Sequence, residues 1–393
     1  MKPQSHLLAS IRSRESSMIE TLKSWVSINS GSDNGDGLDQ MREALESGIE
    51  EIPTVDKETI PFSKGKAIRL RCRPGCSRRV FLSGHMDTVY PKDHAFQEWS
   101  MIEPNRLVGP GAADMKGGLL VMIEALRAFE TSPVASDIGW EVLISTDEEI
   151  GSPDSAKLLE EAARRCQIGL VFEPALQGSG NLSRQRLGSA SFEVTATGKS
   201  AHAGRDFAAG RNAIAGLSAA IASLHKLNKL KDNICNVGSI GGGGPVNVVP
   251  ETATATFNFR STDPLKVDSA IKTATSLARD QYGVELDWKG GFTRKPKLLT
   301  PEIESLFATY QACAKELGFN LSWRDTGGCC DGNNLAAAGL PNLDNLGVRG
   351  GNIHSSEEFV ELDSLVERAQ LTALFLTKYA ESSAPDQDQP QSS

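Results

Sequence analysis

Residues 141–172, EVLISTDEEIGSPDSAKLLEEAARRCQIGLVF, decide the fold class. Glu141-Val142-Leu143-Ile144-Ser145 and Gly169-Leu170-Val171-Phe172 are short apolar runs that read as buried strands, and the segment at about 155–165 between them reads as a helix. Strand, helix, strand is the unit of an α/β layer architecture, in which helices cover a sheet. Toward the N-terminus, strand-like patterns appear at 68–71 and 79–82, and 117–130 reads as an amphipathic helix. Helical periodicity over 18–28 (Met18, Ile19, Leu22, Trp25, Val26) precedes the loop at 29–37 and a second helix near 38–50.

Toward the C-terminus the character changes near residue 189. Residues 191–197 alternate like a half-exposed antiparallel strand, and an Ala-rich helix follows over 208–227. Strands at 234–240 and 252–260 flank the turn Gly241-Gly242-Gly243-Gly244-Pro245, with a helix over 264–280 and a last strand at 284–288. The order β-α-β-β-α-β is that of a ferredoxin-like unit. The α/β pattern then resumes with a helix over 301–317, a strand candidate at 340–346 and a long helix over 362–379. The sequence therefore predicts an α/β domain with a mixed sheet flanked by helices, made of residues 1–188 and 298–380 and interrupted by an inserted α+β domain at 189–297. The polar, Pro-containing tail 381–393 is expected to be disordered.

The chain has 393 residues, 39% of them hydrophobic, which suits a soluble protein with a substantial core. No run of about twenty apolar residues is present, so no membrane span is expected. Residues 1–17 lack the apolar run and cleavage site of a secretory signal, which makes the cytoplasm the expected location. The formal net charge of −9 disfavours nucleic acid and anionic membrane as partners, since both demand a basic face. Seven scattered cysteines without a CxxC pair read as reduced thiols.

Five short clusters carry the chemistry. Four are expected at the ends of strands in the α/β sheet: Ser83-Gly84-His85-Met86-Asp87-Thr88-Val89, Gly109-Pro110-Gly111-Ala112-Ala113-Asp114-Met115-Lys116-Gly117-Gly118, Thr146-Asp147-Glu148-Glu149-Ile150-Gly151 and Phe172-Glu173-Pro174. The fifth, Gly351-Asn352-Ile353-His354-Ser355, lies far downstream. A His and an Asp two apart at a strand end point to the same side, which suits an imidazole ligand oriented by a carboxylate. Singly, each cluster has a plainer reading: Asp114 as a helix N-cap, residues 147–149 as a solvated acidic loop. Together, two histidines and three acidic groups at positions where ligands collect in open α/β sheets make a set for two cations. One bridging carboxylate plus one histidine and one carboxylate per metal uses all five, and another carboxylate of the acidic run is available as a base.

These motifs, in this order and together with Ser200-Ala201-His202-Ala203-Gly204, resemble the M20 family of co-catalytic zinc metallopeptidases, in particular its glutamate carboxypeptidase (carboxypeptidase G2-like) branch. The resemblance runs from about residue 18 to 380, including the insertion. It implies a zinc-peptidase-like catalytic domain and an inserted lid and dimerisation domain, hence a homodimer. It further implies that His85, Asp114 and Glu173 hold one zinc, and that Asp114 bridges to a second completed by Glu149 and His354, with cobalt or manganese as alternative metals. Asp87 would orient His85, Glu148 would be the general base, and the Asp114–Met115 peptide would be cis. From the insertion, His202 would donate to the developing oxyanion, often from the partner subunit, and Asn247 and Arg260 would hold the substrate carboxylate, a task that suits a guanidinium fork. The loop 327–333 departs from the pattern, since Cys330 stands where family members often carry Ser or Thr.

The implied activity is hydrolysis of the amide bond to a C-terminal amino acid, with a small peptide or N-acyl amino acid as substrate. Two alternatives stay open. One is an N-acyl-amino-acid deacylase of the acetylornithine deacetylase, succinyl-diaminopimelate desuccinylase or aminoacylase type. The other is a non-catalytic binding protein on the same fold, against which the full ligand set and the base argue. The Gly-rich run 241–244 lacks the Gly-Lys-Ser/Thr continuation of a phosphate loop and reads as a hairpin turn. His6, His94 and His225 have no chemical context.

Overall fold

Strand Gly139–Ser145 is buried along its whole length, as an apolar run covered on both faces must be. In the computed structural model, which describes residues 3–52, 56–178 and 180–382, this strand belongs to a six-stranded mixed sheet. The order is Asp56–Pro61, Lys66–Cys72, Gly139–Ser145, Arg79–His85, Ile168–Val171, Asn342–Leu343. The last four strands are parallel, and the first two are antiparallel to their neighbours. Period-2 alternation divides the side chains between two cores. Val80, Leu82, Val142 and Ile144 enter the larger core with helices Gly118–Phe129 and Asp363–Glu381, while Phe81 and Leu143 enter a smaller one with Leu159, Ala162 and Leu335. The strand's one charge, Glu141, accepts from Arg165 Nε at 3.1 Å and Nη2 at 2.7 Å, so the buried carboxylate is paired.

The chain divides into two units. One holds the chain up to Arg184, Leu299–Arg324 and the chain from Cys330 onward, and contains this sheet; the other holds Gln185–Leu298 and Asp325–Cys329. The second unit has a four-stranded antiparallel sheet in the order Asn233–Gly242, Thr252–Ser261, Gly188–Thr197, Glu285–Arg294. Helices Ala213–Leu224 and Pro264–Tyr282 bury Leu217, Ala220, Ala274 and Ala278 in one core with Val194, Ala196, Phe257 and Phe259 of that sheet. The first helix is shorter than the expected 208–227, because Asn212 caps it by accepting from Ala215 N at 3.1 Å. The residues flanking it form 3₁₀ turns at Phe207–Ala209 and His225–Lys229.

Several expectations need correction. Ahead of the helix expected at 18–28, which runs Glu15–Val26, lies a helix for which no expectation was stated, Pro3–Ser13, whose sequence signal is only the i, i+4 pair Leu7 and Ile11, both buried. The strand candidate at 340–346 contracts to Asn342–Leu343: Pro341 has no N–H to donate, and Asn345 turns the chain at φ 64°. The cluster around Asp114 does not follow a strand of the main sheet. It follows Arg106–Val108, which lies in a separate four-stranded sheet ordered Gly350–Gly351, Phe359–Glu361, Arg106–Val108, Ser100–Glu103. Its edge strand Ser100–Glu103 is exposed at every residue, Met101 and Ile102 included, and carries no signal of a buried sheet. The long final helix continues through Glu381, and the rest of the tail expected to be disordered lies, beyond Ser382, outside the described residues. All seven cysteines are reduced thiols outside any disulfide. Among the described residues no helix is long and apolar enough to cross a membrane.

Candidate metal centre and active site

Three neighbouring parallel strands end side by side, and each delivers one group. His85 closes Arg79–His85, the run Asp147-Glu148-Glu149 follows Gly139–Ser145, and Glu173 follows Ile168–Val171. Adjacent strands are about 4.8 Å apart, so the three chain ends meet at one edge. One donor atom each from His85, Glu148 and Glu173 lie within 4.8 Å of one another, and so do one each from His85, Asp114 and Glu149.

Asp114 arrives by a different route. It sits in the tight turn Ala112–Gly117 ahead of helix Gly118–Phe129, with φ −114° and ψ 91°, and the peptide bond to Met115 is cis. It is not a helix N-cap. Gly111 enters the turn at φ 70°, where a Cβ would lie 2.7 Å from Thr88 Cγ2. At Gly118 a Cβ would meet Phe172 O at 2.0 Å, so a glycine there lets the helix start lie against the segment that carries Glu173.

The two oxygens of Asp114 face different histidines: Oδ1 lies 3.3 Å from His85 Nε2, and Oδ2 lies 3.3 Å from His354 Nε2. His85 Nε2 is also 3.8 Å from Glu173 Oε1, and His354 Nε2 is 3.3 Å from Glu149 Oε2. Each imidazole thus has Asp114 and one carboxylate of its own. His354 is held at φ 63°, a left-handed conformation that non-glycine residues adopt where the surroundings impose it. On the far side of His85, Nδ1 lies 3.0 Å from Asp87 O and 3.4 Å from Asp87 Oδ1, which fixes the ring plane. Asp87 also accepts from Ser32 Oγ at 2.9 Å and from the backbone N–H groups of Glu148 and Glu149 at 3.3 and 3.2 Å. One carboxylate therefore positions both the histidine and the acidic loop. Asp147 points away and caps helix Ser155–Ala163, accepting from Asp154 N at 2.7 Å and Ser155 N at 3.0 Å.

The charges are unbalanced. Burial pushes Glu149 up to about 8, with the Asp114 charge adding to the effect. His354 is pushed up to about 10 by Asp114 and Glu149. Burial works against a charged His85, yet Asp114 and Asp87 hold its pKa well above the ordinary value; the two histidines hold Asp114 well below the usual carboxylate range against burial. Five carboxylates surround two imidazoles, a negative surplus that cations would neutralise. His85 Nε2 and Asp114 Oδ1, although 3.3 Å apart, and Glu149 Oε1 are all buried and make no well-formed hydrogen bond. Buried polar atoms are rarely left so. An N/O donor set with one shared carboxylate fits a pair of borderline divalent ions.

Residues of this centre were not all legible beforehand. Glu358, fully buried, accepts from Ala113 N at 2.9 Å, Asp114 N at 3.0 Å and Gly111 N at 3.2 Å, with Tyr90 Oη 2.7 Å away. Burial pushes its carboxyl up to about 7. Lys116, also buried, donates to Ile28 O at 2.8 Å and Pro110 O at 3.2 Å, and burial lowers its pKa to about 7. Glu358 belongs to no recognisable spacing, and Lys116, although inside the quoted run 109–118, carried no assigned role. Cys330 is the N-cap of helix Asp331–Ala337, its Sγ accepting from Gly332 N at 3.3 Å.

In the second unit, His202 and Asn247 are brought together, and Arg260 is not with them. His202 bridges Val248, and Ala203 N donates to Asn247 O at 2.9 Å. The exposed His202 ring accepts from Gly204 N through Nδ1 at 3.1 Å, which places the proton of the neutral ring on Nε2. Arg260 lies at the other end of strand Thr252–Ser261, where its Nε donates to Asn258 Oδ1 at 3.0 Å and its Nη1 to Cys329 Sγ at 3.2 Å. The strand from Thr252 to Arg260 spans roughly 27 Å at about 3.4 Å per residue.

The sequence profile of Peptidase family M20/M25/M40 matches residues 81–378. Carboxypeptidase G2 of Pseudomonas sp. (strain RS-16) is 29% identical over 372 residues, which cover 91% of this chain and 88% of that protein. A succinyl-diaminopimelate desuccinylase of Psychrobacter arcticus is 30% identical over 333 residues, covering 77% of this chain and 79% of that enzyme. The crystal structure of aminopeptidase PepT from Bacillus cereus shares the fold, with a TM-score of 0.79 at 20% identity over 93% of this chain and 99% of that one.

Proposed function

The chain belongs to peptidase family M20/M25/M40 and is a hydrolase, and from that premise we propose that it is a two-zinc exopeptidase that cuts the amide bond to a C-terminal amino acid. The observation that carries the reading is Asp114 placed between His85 and His354, each with its own further carboxylate. His85, Asp114 and Glu173 would hold one ion, and Asp114, Glu149 and His354 the other. When bound, such a pair polarises the scissile carbonyl and makes water a nucleophile at neutral pH.

The chain's own groups do the rest. With the two histidines, Asp114, Glu149 and Glu173 assigned as ligands, as the family resemblance implies, the adjacent Glu148 is assigned as the proton carrier. It takes a proton from the attacking water and returns it to the leaving amine. His202, with its proton on Nε2, donates to the oxyanion. Arg260 and Asn247 hold the substrate carboxylate. Because Arg260 and the His202–Asn247 pair of one chain stand at opposite ends of a strand, a substrate of dipeptide size meets both only if they come from two copies. That separation supports the homodimer, with cytoplasmic location as its expected setting.

A second reading is favoured by the desuccinylase likeness: removal of an acyl group from an N-acyl amino acid. Both readings keep the free carboxylate, and a hydrolysis panel separates them. The zinc-loaded chain is expected to release the terminal residue from peptides ending in glutamate faster than it deacylates N-acetyl or N-succinyl amino acids, and to leave substrates with an amidated C-terminus intact. Faster deacylation would favour the second reading, and equal cleavage of amidated substrates would overturn both.

A further inference from the structure

We propose that Glu358 is the positioning residue that sets Asp114 between the two histidines, an inference that rests on the two-metal reading of Asp114. Glu358 is completely buried and both of its oxygens are engaged. Oε1 accepts from Ala113 N at 2.9 Å and Asp114 N at 3.0 Å; Oε2 accepts from Gly111 N at 3.2 Å and lies 2.7 Å from the Tyr90 hydroxyl. The three N–H groups belong to a turn in which Asp114 (φ −114°, ψ 91°) and Met115 (φ −133°, ψ 37°) leave helical geometry. A regular helical ladder does not serve such a turn, so its buried donors need an acceptor from outside.

Only a carboxylate meets the geometry. A glutamine offers one acceptor oxygen, and its amide nitrogen would present hydrogens to backbone donors. A buried carboxylate is also an expensive way to fill space, which argues against mere packing. The same group reaches the other half of the site. Glu358 N donates to Ser355 O at 3.1 Å, next to His354, and the Tyr90 hydroxyl lies 2.8 Å from that same carbonyl, where its one proton can serve either acceptor. The turn carrying Asp114 and the loop carrying His354 are thereby referenced to one side chain.

The test compares full-length wild type, Glu358→Gln, Tyr90→Phe and, as a control, Glu130→Gln. Glu130 is another buried carboxylate, held by Arg73 Nη1 at 2.8 Å and Trp140 Nε1 at 2.7 Å, and has no part in the centre. Four quantities are read: zinc affinity by competition with a chromophoric chelator, metal-free Tm, and kcat and KM at saturating zinc. Glu358→Gln is expected to bind zinc about 10–100-fold more weakly, the usual consequence of losing a group that orients ligands, and to lose kcat with KM nearly unchanged. Tyr90→Phe removes one of the four contacts and shifts zinc affinity in the same direction by less, which keeps the test open if Glu358→Gln does not fold. Glu130→Gln is expected to lower Tm without moving zinc affinity. Wild-type zinc affinity in folded Glu358→Gln or, failing that variant, in Tyr90→Phe overturns the proposal, and so does an equal shift in Glu130→Gln. A wild-type chain that takes up no zinc defeats the two-metal reading itself, before any variant is compared.

Discussion

Glu148→Gln is expected to lower hydrolysis by about 10²–10⁴-fold, the usual share of a general acid–base group, while the chain keeps its full complement of metal. The substitution is nearly isosteric and leaves the backbone bond from Glu148 N to Asp87 Oδ1 (3.3 Å) in place. It removes the ability to carry a proton and nothing that the ligand set requires. Because a donor atom of Glu148 lies within 4.8 Å of donors of His85 and Glu173, the alternative is that Glu148 is itself a ligand. The two roles separate cleanly. A base loses turnover with metal content unchanged, whereas a ligand loses both. Atomic absorption on the purified variant beside its kcat decides between them, and a fully active Glu148→Gln enzyme would remove Glu148 from the mechanism.

Asp114→Asn is expected to have a still broader effect, reducing bound metal from two ions to at most one and leaving no measurable turnover. Among the described residues, Asp114 is the one carboxylate within 3.3 Å of both histidines, so its charge serves both halves of the centre at once. The amide keeps the size and one acceptor oxygen, but not the second oxygen that faces His354. The metal-free fold should tolerate the change, since it takes one negative charge out of a crowded acidic cluster. Metal analysis with metal-free thermal unfolding checks this; two tightly bound ions in Asp114→Asn would exclude the bridging role.

The parts of this centre differ in how far they could be read from the sequence, and the difference has a physical cause. His85, Glu148, Glu149 and Glu173 could be read as a set because each follows an apolar run; singly, a charged group where a buried strand stops has plainer uses, as Asp147 shows by accepting from the N-terminus of helix Ser155–Ala163. The alternating residues of 79–85 and 139–145 likewise reveal a sheet covered on both faces, since Phe81 and Leu143 must be buried on the side opposite Leu82 and Ile144. Asp114 was harder to place. It comes from a non-helical turn after a three-residue strand, a geometry that local propensity does not encode. Glu358 was out of reach altogether: its partners are backbone N–H groups more than 240 positions upstream, and any sequence offers such groups everywhere. The separation of Arg260 from His202 and Asn247 follows only once strand register is known, because residues 13 and 58 positions away along the chain carry no distance in themselves.

Metal restoration shows whether two metal ions activate water against an amide next to a free carboxylate. The chain is stripped with a chelator and titrated with zinc while release of glutamate from a peptide ending in glutamate is followed. The stripped chain is expected to show no hydrolysis, and activity to rise to its plateau at two zinc equivalents. Undiminished hydrolysis after complete stripping, or a plateau at one equivalent, would contradict the two-metal reading.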